Sequence, residues 1–390
     1  MPTPTQLHTA VIGAGPAGVA AASAAASTGC HVTLIESSAR FGGSVTSAMH
    51  RSLCGLYRQA PASPLDTLNA GAQREVIEHM IRSEPKRVIL KQLGKTCVLE
   101  FPAAVYEAAL LHLVTKPNIS TQMSTRLTAV QRDGNRITAI QYDSQWQAVN
   151  AIIDCTGSGA VMRLAGADVM HPPDPQRMLG GYSLKLSNIA TDVEMLRIQV
   201  PYALARSVNA GDLPIEAKFT VFHPGPGVGE GTCKLAVHPD HFTDDEMPRL
   251  AERIISNLKS QIPGFANVQI VERSPHPLPR DGRRLKGKAT VTESDVLSGR
   301  QIDRDAIHAW WPIENWDLTA GPTYAYPPPG RHYDIPTDAL QSDTIENLFA
   351  AGTCVSATAT AAASLRASGI CLATGHAAGI AACGFADRSV

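Results

Sequence analysis

The sequence predicts an α/β fold: a split, Rossmann-like dinucleotide-binding domain with a parallel sheet, interrupted by a second, strand-rich (α+β) domain. Three observations predict it. The opening residues read as strand, glycine turn, helix and strand. A second strand–glycine turn–helix pattern appears only near the C-terminus. Between them the composition shifts toward strand formers and aromatics. The expected division is 1–170 for the first part of the binding domain, 171–334 for an inserted substrate or cap domain, and 335–390 for the return. A chain of 390 residues has room for two or three such units and buries a large core without staples.

Each element follows from local chemistry. In "HTAVIGAGPAGVAAASAAASTGCHVTLIESS" the short apolar "AVIG" is a strand, and the small-residue run after it favours helix. "HVTLIE" is β-branched, and Gly29 stands where the helix stops. A helix is expected over Leu65–Arg82, short strands in "RVILKQLGKTCVLEF", and a helix in "PAAVYEAALLHLVTK" with Pro102 in its first turn. Alternating residues follow, with a hairpin signal at Asp133-Gly134, and then a buried strand in "AVNAIIDCTG". The composition changes near His171–Pro175, and "PPPGRHYDIP" reads as the link back. The tail "NLFAAGTCVSATATAAASLRASGICLATGHAAGIAA" reads as strand, glycine-rich turn and long small-residue helix.

Composition excludes several classes. A net charge of −1 gives no basic field for nucleic acid. No basic segment precedes an apolar run at the start, so no signal peptide is expected. The apolar stretches are broken by glycine and proline, so no membrane span is expected either. None of the eight cysteines forms a C-x-x-C pair, and no Cys/His cluster has zinc spacing, so no metal site is expected. This pattern suits a reducing cytoplasm. Cys30, Cys155, Cys371 and Cys383 read as core filler among small residues.

The chemistry begins at Gly13, Gly15 and Gly18, which form G-x-G-x-x-G around Pro16 and Ala17. The first glycine permits the tight turn, the second admits a pyrophosphate to the backbone, and the third lets helix and strand pack closely. The helix N-terminus offers bare N–H groups to phosphate, and Glu36 closes the second strand where a carboxylate can accept from ribose hydroxyls. In this context the motif points to an adenine dinucleotide; the alternative is a glycine turn without a ligand. "FHPGPGVGEGTCK" is also glycine-rich, but no helix follows it. A hairpin loop is expected there, with a nicotinamide site as the lesser alternative.

"IESSARFGGSVTSAM", "AIIDCTGSGAVMRLAGAD" and "NLFAAGTCVSAT" together resemble three separated motifs of glutathione-reductase-like flavoproteins. With "RRLKGKATVTESDVLSGR", "WPIENWD" and "YDIP", the chain resembles FAD-dependent oxidoreductases of the FAD_oxidored type. The resemblance implies FAD as cofactor. It places Gly42, Gly43 and Ser44 along the ribityl chain, and Thr156 and Gly157 in the second motif. It puts Gly352, Thr353 and Arg366 at the flavin end, and Arg283 or Arg284 toward the flavin or an acidic substrate. Relatives often continue "WPIE" into a histidine, and their last motif often carries a basic residue. Here Asn315 follows, and threonines occupy the last motif, so a histidine relay is not implied at those places.

"HAWWPIENW" gathers His308, Trp310, Trp311, Glu314 and Trp316. Such a set suits a mostly apolar pocket with a few polar groups. Glu314 or His308 is then a candidate base, and Trp310, Trp311 and Trp316 are candidate substrate contacts, with Arg283 as a charged one. The alternative is that the tryptophans pack the insert on the binding domain and Glu314 pairs with an arginine. His50, His276 and His332 lie near these segments. Cys54, followed by Gly55, is expected beside the flavin as packing, as a redox group or as a thioether anchor. The expected function is oxidation of a small organic molecule by a dehydrogenase or oxidase. The alternatives are a monooxygenase or reductase fed by NAD(P)H or a partner reductase, and a flavoprotein subunit or assembly factor without its own catalysis. The expected partners are a small-molecule substrate and a protein electron acceptor or reductase; the oligomeric state is left open.

Overall fold

The computed structural model describes residues 7–171, 177–190, 193–238, 241–302 and 306–388. Its central sheet has five parallel strands in the spatial order Leu348–Ala350, Ala151–Asp154, His8–Ile12, His31–Ile35 and Ile119–Gln122. The inner strands are short and apolar because both faces are covered. Segments 8–154 and 348–388 thus share one sheet across the insert, as the split domain requires. In such open sheets ligands bind beyond the carboxyl ends of the strands.

The helix Pro16–Ser27 is buried on nearly every side, so it shows no polar face. The C-terminal helix Ser368–Arg388 lies directly on it. A Cβ at Gly375 would stand 2.1 Å from the Ala17 carbonyl oxygen, and one at Gly379 would stand 2.3 Å from that of Ala21. The small residues of both helices therefore serve close backbone approach. By length and composition the window Ser368–Asp387 could cross a membrane, but 67% of it is buried inside the protein. The same packing corrects one expectation. Cys30 and Cys383, read as separate core fillers, form a disulfide with Cα atoms 6.0 Å apart. Cys155 and Cys371 are buried free thiols.

A second correction concerns the helix expected over Leu65–Arg82, which runs from Ala72 to Ser83. Gly71, at φ +66°, turns the chain into it, and the stretch before has no helical hydrogen bonding. The hairpin at Asp133-Gly134 forms between Leu127–Asp133 and Arg136–Tyr142. The composition change after His171 lies largely outside the described residues.

The insert folds around a four-stranded antiparallel sheet in the order Val221–Pro224, Gly231–Val237, Gly180–Ser187 and Gln269–Arg273. Helices Leu196–Asn209 and Glu246–Gln261 bury their apolar stripes on it, and this core draws on residues between Tyr182 and Val268. Residues from Val291 to Leu340 return to the main core instead. The glycine-rich stretch is a hairpin turn: the Gly225 N–H donates to the Glu230 carbonyl at 2.8 Å, and the Gly227 N–H donates to the Glu230 carboxylate at 3.2 Å.

Candidate active site

Three glycine turns meet at the carboxyl ends of the central strands. Gly13, at φ +100°, donates its N–H to the Ile35 carbonyl at 2.7 Å. A Cβ on Gly18 would fall 1.7 Å from the Gly13 carbonyl oxygen, so only glycine lets helix and turn pack. Pro16 opens the helix, whose first-turn N–H groups have no intrahelical acceptor. Gly43 faces Gly15 closely enough that its Cβ would reach the Gly15 Cα at 3.0 Å. The Gly42 N–H donates to the Ala14 carbonyl at 2.9 Å, and Ser44 is exposed just beyond. A Cβ at Gly352 would lie 3.0 Å from the Ala17 Cβ.

Glu36 stands at the rim. Its carboxylate accepts from the Ala14 and Ser38 N–H groups, both at 2.7 Å. The result is a surface of bare backbone with a helix dipole behind it and a fixed carboxylate beside it. This fits a diphosphate joined to a ribose. The Thr156–Gly159 turn is held by the buried Asp154 carboxylate, which accepts from the Thr156 N–H and hydroxyl and from the Val161 and Met162 N–H groups. The Thr353 hydroxyl donates to the Gly157 carbonyl at 3.4 Å, joining that turn to the last motif.

The wall next to this cradle is made of side chains from five segments. Cys54 lies against the start of the C-terminal helix: its N–H donates to Ser368 Oγ at 3.1 Å, and its carbonyl accepts from the Gly369 N–H at 2.7 Å. Burial, with the Glu314 carboxylate next in weight, pushes its thiol up to about 12. Burial therefore favours the thiol over the thiolate. Glu314 lies on the hairpin strand Ile313–Asp317. Its oxygens accept from Trp316 Nε1 at 2.7 Å and Trp311 Nε1 at 3.4 Å, and Arg366 Nη2 stands 3.4 Å away. Burial alone would raise this carboxyl, but Arg366, the indole N–H groups and Arg280 outweigh it, and it is held below the usual carboxylate range. Glu314 is therefore ionised and fully engaged.

Two residues that the sequence reading did not weight complete the wall. Lys234 projects from the insert strand Gly231–Val237, and its Nζ lies 3.0 Å from His50 Nδ1. Burial lowers its ammonium to about 8. Lys234 first, then burial, holds His50 well below its ordinary value, so the imidazole is neutral. Arg280 stacks 4.2 Å from the Trp316 ring centroid, and burial brings it down to about 9. A cavity of about 340 Å³ between the binding domain and the insert sheet reaches His50, with Tyr106, Lys185 and Thr232 on its walls.

Not every expected residue joins this wall. Trp310 is buried and packs beside Tyr326. Arg283 lies against Gly159, and Arg284 is spent on the carbonyls of Ala357, Gly282 and His171. His308 turns away to Asp334 at 2.7 Å. The signal that could have found Lys234 is a lone cation in the apolar strand "GTCKLAV".

The fold and cradle define a dinucleotide-binding protein. Residues 9–390 match the family model described as FAD dependent oxidoreductase, and the chain belongs to that family; it is an FAD-dependent oxidoreductase. No curated protein matches it. Among solved structures it is similar to CabE, an aromatic hydroxylase from angucycline biosynthesis, at 13% identity over 73% of this chain and 54% of that one, TM-score 0.46. It is also similar to OxyS anhydrotetracycline hydroxylase from Streptomyces rimosus, at 14% identity over 73% and 54%, TM-score 0.45. A third is L-proline dehydrogenase from P. horikoshii, at 12% identity over 99% and 95%, TM-score 0.44. The chain spans just over half the length of the first two.

Proposed function

We propose that the protein is a dehydrogenase or oxidase that removes hydride from a small, negatively charged organic substrate. The supporting observation is the composition of the wall. Lys234, Arg280 and Arg366 are electrostatically coupled to one another or to the single carboxylate of Glu314. Two guanidinium groups, Arg280 and Arg366, face the one carboxylate of Glu314, and Arg280 is braced by donating to the Leu179 and Gly180 carbonyls. Arg366 Nε is buried with no acceptor among the described residues. Buried cations of this kind call for an anion, and a substrate carboxylate supplies one.

The chemistry that FAD would supply when bound is acceptance of the hydride. Arg280 and Arg366 hold the anionic group, and Trp311 and Trp316 cover it from water. Lys234 is the better proton acceptor, because Glu314 is committed on both oxygens and His308 to Asp334. Cys54 is a neutral contact, and the insert acts as the substrate cap because it contributes Lys234. A group titrating near neutrality is suited to general base work.

Substrate turnover should rise as pH increases through about 8, where the Lys234 ammonium loses its proton. Lys234→Met should abolish that limb and slow turnover by roughly 10²–10⁴-fold while FAD content stays normal. A wild-type profile flat between pH 7 and 9 would remove Lys234 from the role. Anaerobic mixing with organic acids and, separately, with NADPH tests the reaction class: rapid bleaching of the flavin by NADPH alone would favour a monooxygenase or reductase.

A further inference from the structure

We propose that His308, His332 and Asp334 form a binding site for a divalent transition metal, with Zn²⁺ the best-suited ion. The site stands apart from the wall described above, and no step of the proposed reaction depends on it. It arises from strand pairing. Ala306–Ala309 runs antiparallel to Tyr333–Pro336, with His308 directly opposite Asp334. His332 precedes Asp334 by two residues, the spacing that returns a side chain to the same face of an extended chain.

The donor atoms already converge. His308 Nδ1 lies 2.7 Å and His332 Nε2 3.4 Å from the same oxygen, Asp334 Oδ1, and all three atoms lie within 4.8 Å of one another. A tetrahedral ion with bonds of about 2.0–2.1 Å keeps its ligand atoms roughly 3.4 Å apart. Small side-chain adjustments therefore close the set. The other Asp334 oxygen accepts from the Ile302 N–H at 2.8 Å, which fixes the carboxylate from behind, as an outer-shell partner does. Asp334 is almost wholly buried, His332 largely so, and His308 is 41% exposed, which leaves one side open to a water ligand.

The ligand chemistry agrees. Two imidazoles and one carboxylate suit Zn²⁺ and its neighbours rather than Ca²⁺ or Mg²⁺. Gln301 Nε2 lies 3.3 Å from His332 Nε2 and would be displaced by the ion. Sequence spacing gave no hint of this group, because two of its members meet only across a strand ladder.

A bound ion would clamp the two strands that support the tryptophan wall. Trp310 and Trp311 follow directly after the strand bearing His308. Tyr333, beside Asp334, bonds Ser364 at 2.7 Å, and the Ser364 hydroxyl donates to the Trp311 carbonyl at 2.6 Å. The inferred role is therefore structural. It assigns His308 to metal binding rather than to proton transfer.

The test uses the full, FAD-loaded chain, stripped with a chelator, desalted and titrated with Co²⁺ at pH 7.5. The expected result is one equivalent bound, with visible d–d bands, displaced by Zn²⁺, and a higher unfolding temperature in Zn²⁺. Asp334→Asn keeps the side-chain shape and should weaken binding by at least about 100-fold, as should His332→Gln. His79→Gln, at a stacked histidine pair elsewhere, should leave it unchanged. FAD content reports folding of each variant; if Asp334→Asn does not fold, His332→Gln carries the test. Absence of Co²⁺ binding in the wild type, or binding unchanged in His332→Gln, would overturn the site and leave a hydrogen-bonded Asp–His cluster without an ion.

Discussion

The dinucleotide cradle draws its first parts from Gly13–Gly18, Glu36 and Gly42–Gly43, neighbours in the chain that meet through backbone atoms. The wall beside it draws on His50, Cys54, Lys234, Arg280, Glu314 and Arg366, which are scattered through most of the chain and meet through charged side chains. At Gly13, Gly18 and Gly42 the cradle leaves no room for a Cβ, whereas Gly15 is open on the protein side. The wall depends on charge balance, and its backbone is ordinary strand and turn. Damage to the first should show as lost folding or lost cofactor, and damage to the second as changed turnover or changed pH dependence.

The comparison breaks most sharply at two glycines of one motif. Gly18→Ala would press a methyl onto the Gly13 carbonyl, backbone against backbone. We expect a loss above about 3 kcal/mol, beyond the usual range for overpacking, seen as little folded protein. At Gly15 an added Cβ meets nothing of the protein closer than 3.8 Å, at a φ of −69° that valine adopts; the substitution tested is Gly15→Val. It should fold and purify without stoichiometric FAD, since its side chain occupies the pyrophosphate approach. Retained FAD in a folded Gly15→Val protein would undo the phosphate assignment.

Arg366→Met should have the next largest effect. Both members of the Arg366–Glu314 pair are 17% exposed, and removing one partner of a buried pair costs about 3 kcal/mol. The sign with pH is fixed. Glu314 is held below its ordinary range when folded, so the pair's contribution is present above the unfolded carboxyl pKa and fades as pH falls through the folded one. Denaturant unfolding of wild type and variant should therefore differ at pH 7 and converge in acid; a constant difference would show that packing, not charge, is lost. Cys54→Ala should have the smallest effect, about 1 kcal/mol or less in stability, with FAD still released by acid. Flavin retained in acid-precipitated wild-type protein and lost from Cys54→Ala would instead reveal a covalent bond.

Legibility followed the same division. The G-x-G-x-x-G turn, Glu36, the paired glycines and the hairpin at Val221–Val237 could be read because each is decided by φ, by a missing Cβ or by short-range pairing. The helix start at Ala72 is not legible, because apolar spacing continues upstream into a stretch that is loop. In the sequence the tryptophans of "HAWWPIENW" form one set. The fold sends Trp310 into the core and points the indole N–H groups of Trp311 and Trp316 at Glu314. Among the basic residues of "PRDGRRLKGK" it is Arg280 that stacks on Trp316, a choice that composition could not make. Cys30 and Cys383, with a sequence separation of 353, are paired only because two helices of small residues pack face to face.

The sequence by itself therefore determined the parallel sheet and the dinucleotide cradle, and its resemblance to a flavoprotein family pointed to FAD. Glycine position and hydrophobic period act locally, and they constrain the backbone wherever the chain later goes. Only the tertiary structure decided which titratable groups face one another: Lys234 against His50, Arg366 against Glu314, His308 opposite Asp334. Electrostatic energy depends on distance in space and on the water excluded between groups. Neither quantity exists until the insert strand, the hairpin and the last helix have packed together.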